Sequence, residues 1–103
     1  MEDSASKIQE ISSIENILQN LLFEKQAFDL ELSEIESAIS ELKNSSQDSF
    51  KLVGNLLLRF DKSKLLLELE EKKKILEVRI ASLDNQEKIF SEKLLSLRKD
   101  ILG

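Results

Sequence analysis

The fold is decided by the stretch Phe50-Lys51-Leu52-Val53-Gly54-Asn55-Leu56-Leu57-Leu58-Arg59-Phe60, which places a glycine turn between two short apolar runs. The dipeptide Gly54-Asn55 is typical of a two-residue type II′ turn, in which glycine takes the first position. A hairpin built on this turn pairs Val53 with Leu56, Leu52 with Leu57, Lys51 with Leu58, and Phe50 with Arg59. The sequence therefore predicts a β-hairpin over residues 49–60.

Both faces of this hairpin are apolar. One face carries Val53, Leu56, Leu58 and Phe60, and the other carries Phe50, Leu52 and Leu57. A sheet that is apolar on both faces must be covered on both or closed into a barrel, and a lone two-stranded hairpin is marginal in water. We therefore expect the hairpin to join an oligomeric β-barrel, through Phe50, Leu52, Val53, Gly54, Asn55, Leu56, Leu57, Leu58 and Phe60.

Apolar residues recur at alternating spacings of three and four on both sides of the hairpin. Before it the series runs Ile11, Ile14, Leu18, Leu21, Lys25, Phe28, Leu32, Ile35, Ile39, Leu42. After it the series runs Leu66, Leu69, Lys73, Leu76, Ile80, Leu83, Glu87, Phe90, Leu94, Leu97, Ile101. A repeat of 3.5 residues sustained this long predicts a coiled-coil seam. The alternative, an amphipathic helix packed on a globular core, is disfavoured because the chain holds no other core.

The predicted fold class is thus mostly α with a small β-hairpin. Two long helices fold back as an antiparallel coiled coil, linked by the hairpin that joins the barrel. We expect one domain over residues 1–103, with arm one over residues 1–44 and arm two over residues 61–103.

The composition narrows the function. Charged residues make up 34% of the chain, proline is absent, and glycine occurs only at 54 and 103. Because cysteine and histidine are absent, disulfides, zinc sites and imidazole catalysis are excluded. The carboxylates spaced three or four apart are typical of a solvated helix face. We predict no catalytic, cofactor-binding or metal-binding residues, and no enzymatic activity.

The distribution of charge bears on partners. Residues 1–44 carry three basic and ten acidic residues, whereas residues 61–103 carry ten and nine, so antiparallel packing relieves like-charge repulsion in arm one. Without a basic surplus, nucleic acid is not an expected partner. The polar first residues and the lack of a long apolar run argue against a signal peptide and a membrane span. We expect a cytoplasmic protein.

Two features of the arms each allow two interpretations. Antiparallel facing brings Lys25 close to Glu87, either as a polar layer that fixes register or as two side chains that reach water independently. Further apolar residues flank the seam near the free ends: Ile8, Ile17, Leu22, Phe23, Ile89, Leu95 and Leu102. They either remain exposed for an irregular apolar ligand or pack between neighbouring arms.

Three segments resemble the β-class subunits of archaeal prefoldin. They are residues 51–57 (Lys-Leu-Val-Gly-Asn-Leu-Leu), residues 31–36 (Glu-Leu-Ser-Glu-Ile-Glu) and residues 71–80 (Glu-Lys-Lys-Lys-Ile-Leu-Glu-Val-Arg-Ile). The likeness covers roughly residues 19–100. A single hairpin fits the β class, because α-class subunits carry two. The chain departs from the family pattern at Phe50, where tyrosine is common.

The resemblance implies a hexamer of two α and four β subunits, whose hairpins form a barrel from which six coiled-coil arms extend. It implies an ATP-independent chaperone (holdase) that captures unfolded polypeptides at the arm tips and delivers them to a group II chaperonin. The expected client-binding residues are Ile8, Ile11, Leu18, Leu22, Phe23, Phe90, Leu94, Leu95, Leu97 and Ile101. The alternative is a structural or tethering coiled-coil oligomer that binds no client.

Overall fold

The computed structural model describes the backbone of residues 2–44, 51–53, 56–58 and 62–102, and the side chains of residues 4–44 and 62–102. Helix α1 spans Glu2–Asn44, strand β1 Lys51–Val53, strand β2 Leu56–Leu58 and helix α2 Lys62–Leu102. Neither helix contains proline or glycine, the two residues that most often interrupt helices. The two long helices predicted from the heptad pattern are confirmed.

The two strands pair antiparallel between the helices. Val53 lies opposite Leu56, Leu52 opposite Leu57, and Lys51 opposite Leu58, which is the register expected for a turn at residues 54–55. The predictions for Phe50, Gly54, Asn55, Arg59 and Phe60 lie outside the described residues. Participation of these strands in an oligomeric barrel stays a prediction.

The chain divides into two compact units, which we name by their place in the sequence. The terminal unit comprises Met1–Asp29 with Arg79–Gly103, and the central unit comprises Leu30–Val78. In the terminal unit the helices run antiparallel, because Lys7 near the start of α1 pairs with Asp100 near the end of α2, and Lys25 pairs with Asp84. The single domain predicted over residues 1–103 stays a prediction.

The predicted seam forms the core of each unit. In the terminal unit Ile14, Leu21, Leu83 and Leu94 are buried, and in the central unit Ile39 and Leu76 are buried. Every other seam position is half-buried except Ile101, which is 37% exposed. No polar or charged side chain is buried in the part of the chain whose side chains are described. The heptad prediction therefore identified the packing face of both helices.

Adjacent leucines allow a direct test of this seam. Leu21 is 6% exposed and Leu22 is 47% exposed. We expect Leu21→Ala to lower the free energy of unfolding by about 2–3 kcal/mol, because it removes buried methyl groups and leaves a cavity. Leu22→Ala should change it by less than about 0.5 kcal/mol. Urea unfolding followed by circular dichroism measures both, and equal effects would show that the seam is assigned to the wrong face.

Candidate functional site

The terminal unit exposes large apolar side chains outside its seam. Phe23 is 59% exposed, Leu95 58% and Ile8 57%. Ile17, Leu22, Ile89 and Leu102 are also exposed. All of them occupy heptad positions other than the a and d positions that bury residues in a two-stranded coil. The unit therefore carries more apolar surface than its own packing requires.

The residues predicted to bind clients fall into three groups. Ile8, Leu22, Phe23, Leu95 and Ile101 are exposed. Ile11, Leu18, Phe90 and Leu97 are half-buried in the seam. Leu94 is buried in the core at 9% exposure, so its side chain lies against the partner helix rather than on the surface. Fewer side chains are thus exposed to a ligand than the sequence predicts. Client binding by these residues stays a prediction.

Ion pairs cross the seam between these apolar residues. Glu10 Oε1 lies 3.1 Å from Lys93 Nζ, Glu15 Oε1 lies 3.8 Å from Arg98, and Lys7 Nζ lies 3.9 Å from Asp100. All six side chains are at least one-third exposed. Such pairs stabilise a protein little, but opposite charges facing each other across the seam favour the antiparallel alignment.

The lysine that interrupts the α1 seam pairs with Asp84. Lys25 Nζ lies 2.6 Å from Asp84 Oδ1. Glu87 is near enough to attract the Lys25 charge, as expected, but the ion pair of Lys25 is with Asp84, so a layer in which Lys25 pairs with Glu87, one of the two alternatives left open, is not formed. The long lysine side chain reaches out of the seam to its flank, where the Asp84 carboxylate lies half-exposed, as lysine stems commonly do. Glu87 sits about one turn further along α2 and adds only a weaker attraction.

This pairing has a pH signature. The Asp84 carboxylate accepts a hydrogen bond from the Lys25 ammonium and attracts its charge, which raises the pKa of Lys25 above its ordinary value of 10.5. A lysine whose pKa rises on folding stabilises the fold at every pH below its ordinary pKa. That contribution is lost as the pH rises through the raised value.

We therefore expect Lys25→Met and Asp84→Asn each to lower the melting temperature near neutral pH, with the double variant losing less than the sum. The difference between wild type and Lys25→Met should shrink above about pH 10.5. Glu87→Gln is the matched control and should couple to Lys25→Met more weakly. Stronger coupling to Glu87 than to Asp84 would contradict the pairing.

Sequence reasoning missed two features of the arms. The Arg79 guanidinium lies 5.8 Å from the centroid of the Phe28 ring, within the range of a cation–π contact. The central unit also exposes four large apolar side chains that were not predicted: Leu30, Leu67, Ile75 and Val78. These four residues lie outside the seam positions, so the heptad pattern does not identify them.

The described residues offer little to a small ligand. A cavity of about 320 Å³ in the central unit is lined by Glu36, Ile39, Ser40, Lys43, Asn44 and Lys73, and Lys43 in its wall pairs with Glu70 at 3.6 Å. Within the described part of the chain, no three potential metal ligands cluster. No described helix is both long enough and apolar enough to cross a membrane.

Two long helices with a heptad seam, joined through paired short strands, define a coiled-coil protein of the prefoldin type. The family model for prefoldin subunits matches residues 5–102, so the chain belongs to the prefoldin subunit family. Its relatives include prefoldin subunit beta of Pyrobaculum aerophilum, 42% identical over 86 residues, which are 82% of this chain and 68% of that protein. Prefoldin subunit beta of Thermococcus onnurineus is 41% identical over 82% of this chain and 74% of its own length.

A solved structure agrees with these matches. The crystal structure of the prefoldin beta subunit from Thermococcus strain KS-1 superposes with a TM-score of 0.83 at 35% identity, covering 95% of this chain and 88% of that one. Both comparisons identify beta subunits from archaea, the class that the hairpin motif resembles. The chain is thus a β-class prefoldin subunit by sequence and by fold.

Proposed function

We propose that this chain is a subunit of an ATP-independent holdase, which binds unfolded polypeptides through the apolar side chains of its terminal unit. The observation that carries this proposal is the exposure of Ile8, Leu22, Phe23 and Leu95. Unfolded polypeptides expose apolar side chains in no fixed arrangement. An exposed helical surface with several small apolar contacts suits them better than one shaped pocket.

The proposed assembly contains two α-class and four β-class prefoldin subunits. The apolar strands Lys51–Val53 and Leu56–Leu58 would be covered by the strands of other subunits, since a lone two-stranded hairpin is marginal in water. Several arms would then act on one client, so that weak contacts on each arm add up through high effective concentration. The captured client would be passed to a group II chaperonin.

We propose that this activity needs no nucleotide. Glycine occurs only at positions 54 and 103, so the sequence contains no glycine-rich phosphate-binding motif. Binding and release would follow from the weakness of each contact and from competition by the receiving chaperonin.

Suppression of aggregation tests the proposal. The chain is mixed with an α-class prefoldin subunit, the complex is purified, and light scattering follows a chemically denatured protein diluted into buffer without ATP. We expect scattering to fall in proportion to the complex added and to be unchanged by nucleotide. Scattering equal to that with an inert coiled-coil protein would contradict a holdase function.

A further inference from the structure

The outer face of α1 in the terminal unit lacks charge. The heptad repeat places eleven residues away from the seam between Ala5 and Ala27; all are exposed and none is charged. We call this surface the neutral face and define it by its central residues Gln9, Ser12, Asn16, Gln19, Phe23 and Gln26. The corresponding positions of α2 carry Lys88, Glu92 and Lys99, so the lack of charge belongs to α1 alone.

The neutral face is not explained by helix stability or by packing. Charged residues of α1 in this range, such as Glu10, Glu15 and Glu24, lie beside the seam. Serine and asparagine are weaker helix formers than glutamate or lysine, and an outer coiled-coil face ordinarily carries charge. Where a sequence breaks a local rule with no compensating packing, a functional reason is expected.

The side chains of the neutral face indicate which kind of ligand it would bind. Amide and hydroxyl side chains both donate and accept hydrogen bonds, and giving up their water costs far less than giving up that of a charged group. A polypeptide main chain offers one donor and one acceptor at nearly every residue. Nucleic acid or an anionic headgroup would meet no cation on this face. The exposed ring of Phe23 provides an apolar anchor in the same surface.

The length of the neutral face also fits an extended polypeptide. From Ala5 to Ala27 the face is about 33 Å long at the α-helical rise of about 1.5 Å per residue. An extended chain of about ten residues has that length. We propose that the neutral face binds the main chain of an unfolded, weakly charged polypeptide through its amide and hydroxyl side chains around Phe23. This inference rests on the proposed holdase function and adds a second mode of contact to the apolar one.

Charge substitution tests the inference in the assembled complex. The probe is reduced, carboxamidomethylated α-lactalbumin, which stays unfolded, and its binding is followed by fluorescence anisotropy. We expect Gln19→Glu with Gln26→Glu, and equally Gln19→Lys with Gln26→Lys, to weaken binding at least fivefold. The matched control, Asn85→Glu with Ser96→Glu, places the same charges on exposed positions of α2 and should leave binding within twofold.

Three results would overturn it. Opposite effects of Glu and Lys would show that the face senses client charge rather than the main chain. A change in the mass of the complex would show that the face packs against another arm. Unchanged binding in both variants would show that the face makes no contact with the client. If the wild-type complex does not bind the probe, that result would instead contradict the proposed holdase function.

A second measurement tests how much the main-chain N–H groups of the client contribute to binding. A fluorescein-labelled neutral peptide of serine, leucine and glutamine is compared with its alternately N-methylated form, which lacks half of the N–H donors. We expect N-methylation to weaken binding to the wild-type complex at least fivefold, but by less than twofold for the variant Gln19→Ala with Gln26→Ala. An equal loss in both complexes would mean that N-methylation acts through peptide shape, and would overturn the inference.

Discussion

A complex whose β-class subunit carries serine at Ile8, Leu22, Phe23 and Leu95 is expected to lose most of its holdase activity while keeping its mass and helicity. All four side chains are exposed, so their replacement removes apolar contact area without opening the core. Burying part of each side chain against a client contributes about 1 kcal/mol or more. Because we propose that several arms act on one client, we expect suppression of aggregation to require at least about tenfold more complex.

The central unit provides the matched control. Leu30, Leu67, Ile75 and Val78 are exposed to a similar extent, between 54% and 69%, and serine at these four positions removes a comparable apolar area. We expect this variant to retain at least half of the wild-type activity. An equal loss of holdase activity in both quadruple variants would show that apolar surface anywhere on the arm binds clients. That result would contradict a binding site in the terminal unit.

Leu56→Asp is expected to dissociate the complex while the helices remain. Leu56 pairs with Val53 at the turn end of the hairpin, and we propose that the hairpin is covered by other subunits. An unpaired charge in such an interface costs about 3–5 kcal/mol, and every β-class subunit would carry one. Light scattering coupled to size exclusion should show a smaller species, with far-ultraviolet circular dichroism nearly unchanged.

The control for this variant is Ser63→Asp, which adds the same charge at an exposed position in the first turn of α2. A negative charge there is favourable to the helix dipole, so the complex should keep its mass. A Leu56→Asp complex of wild-type mass would show that the hairpin does not lie in a subunit interface.

Much of this fold follows from the sequence because it rests on local geometry. The seam from Ile11 to Leu97 was predictable since a 3.5-residue repeat leaves only one face of each helix to pack. The register of β1 and β2 was predictable because a two-residue turn fixes which residues face each other. Neither prediction needed knowledge of distant contacts.

The contacts that the sequence did not predict depend on how the two helices are staggered against each other. Asp84 and Glu87 lie within about one turn of each other, and only the reach of the Lys25 side chain decides between them. The contact between Arg79 and Phe28 has the same cause, since both depend on the exact stagger of two antiparallel helices. Leu94 belongs both to the predicted seam and to the predicted client-binding set, and its burial follows the seam.

The central claim is that this chain, assembled with α-class subunits, holds an unfolded polypeptide. Native mass spectrometry of the mixed subunits, with and without reduced, carboxamidomethylated α-lactalbumin, tests it most directly. We predict one species with the mass of two α and four β subunits, which gains the mass of one client when the unfolded protein is present and not when the native protein is added. A folded 11.8 kDa monomer, or an assembled complex that never gains client mass, would contradict the account.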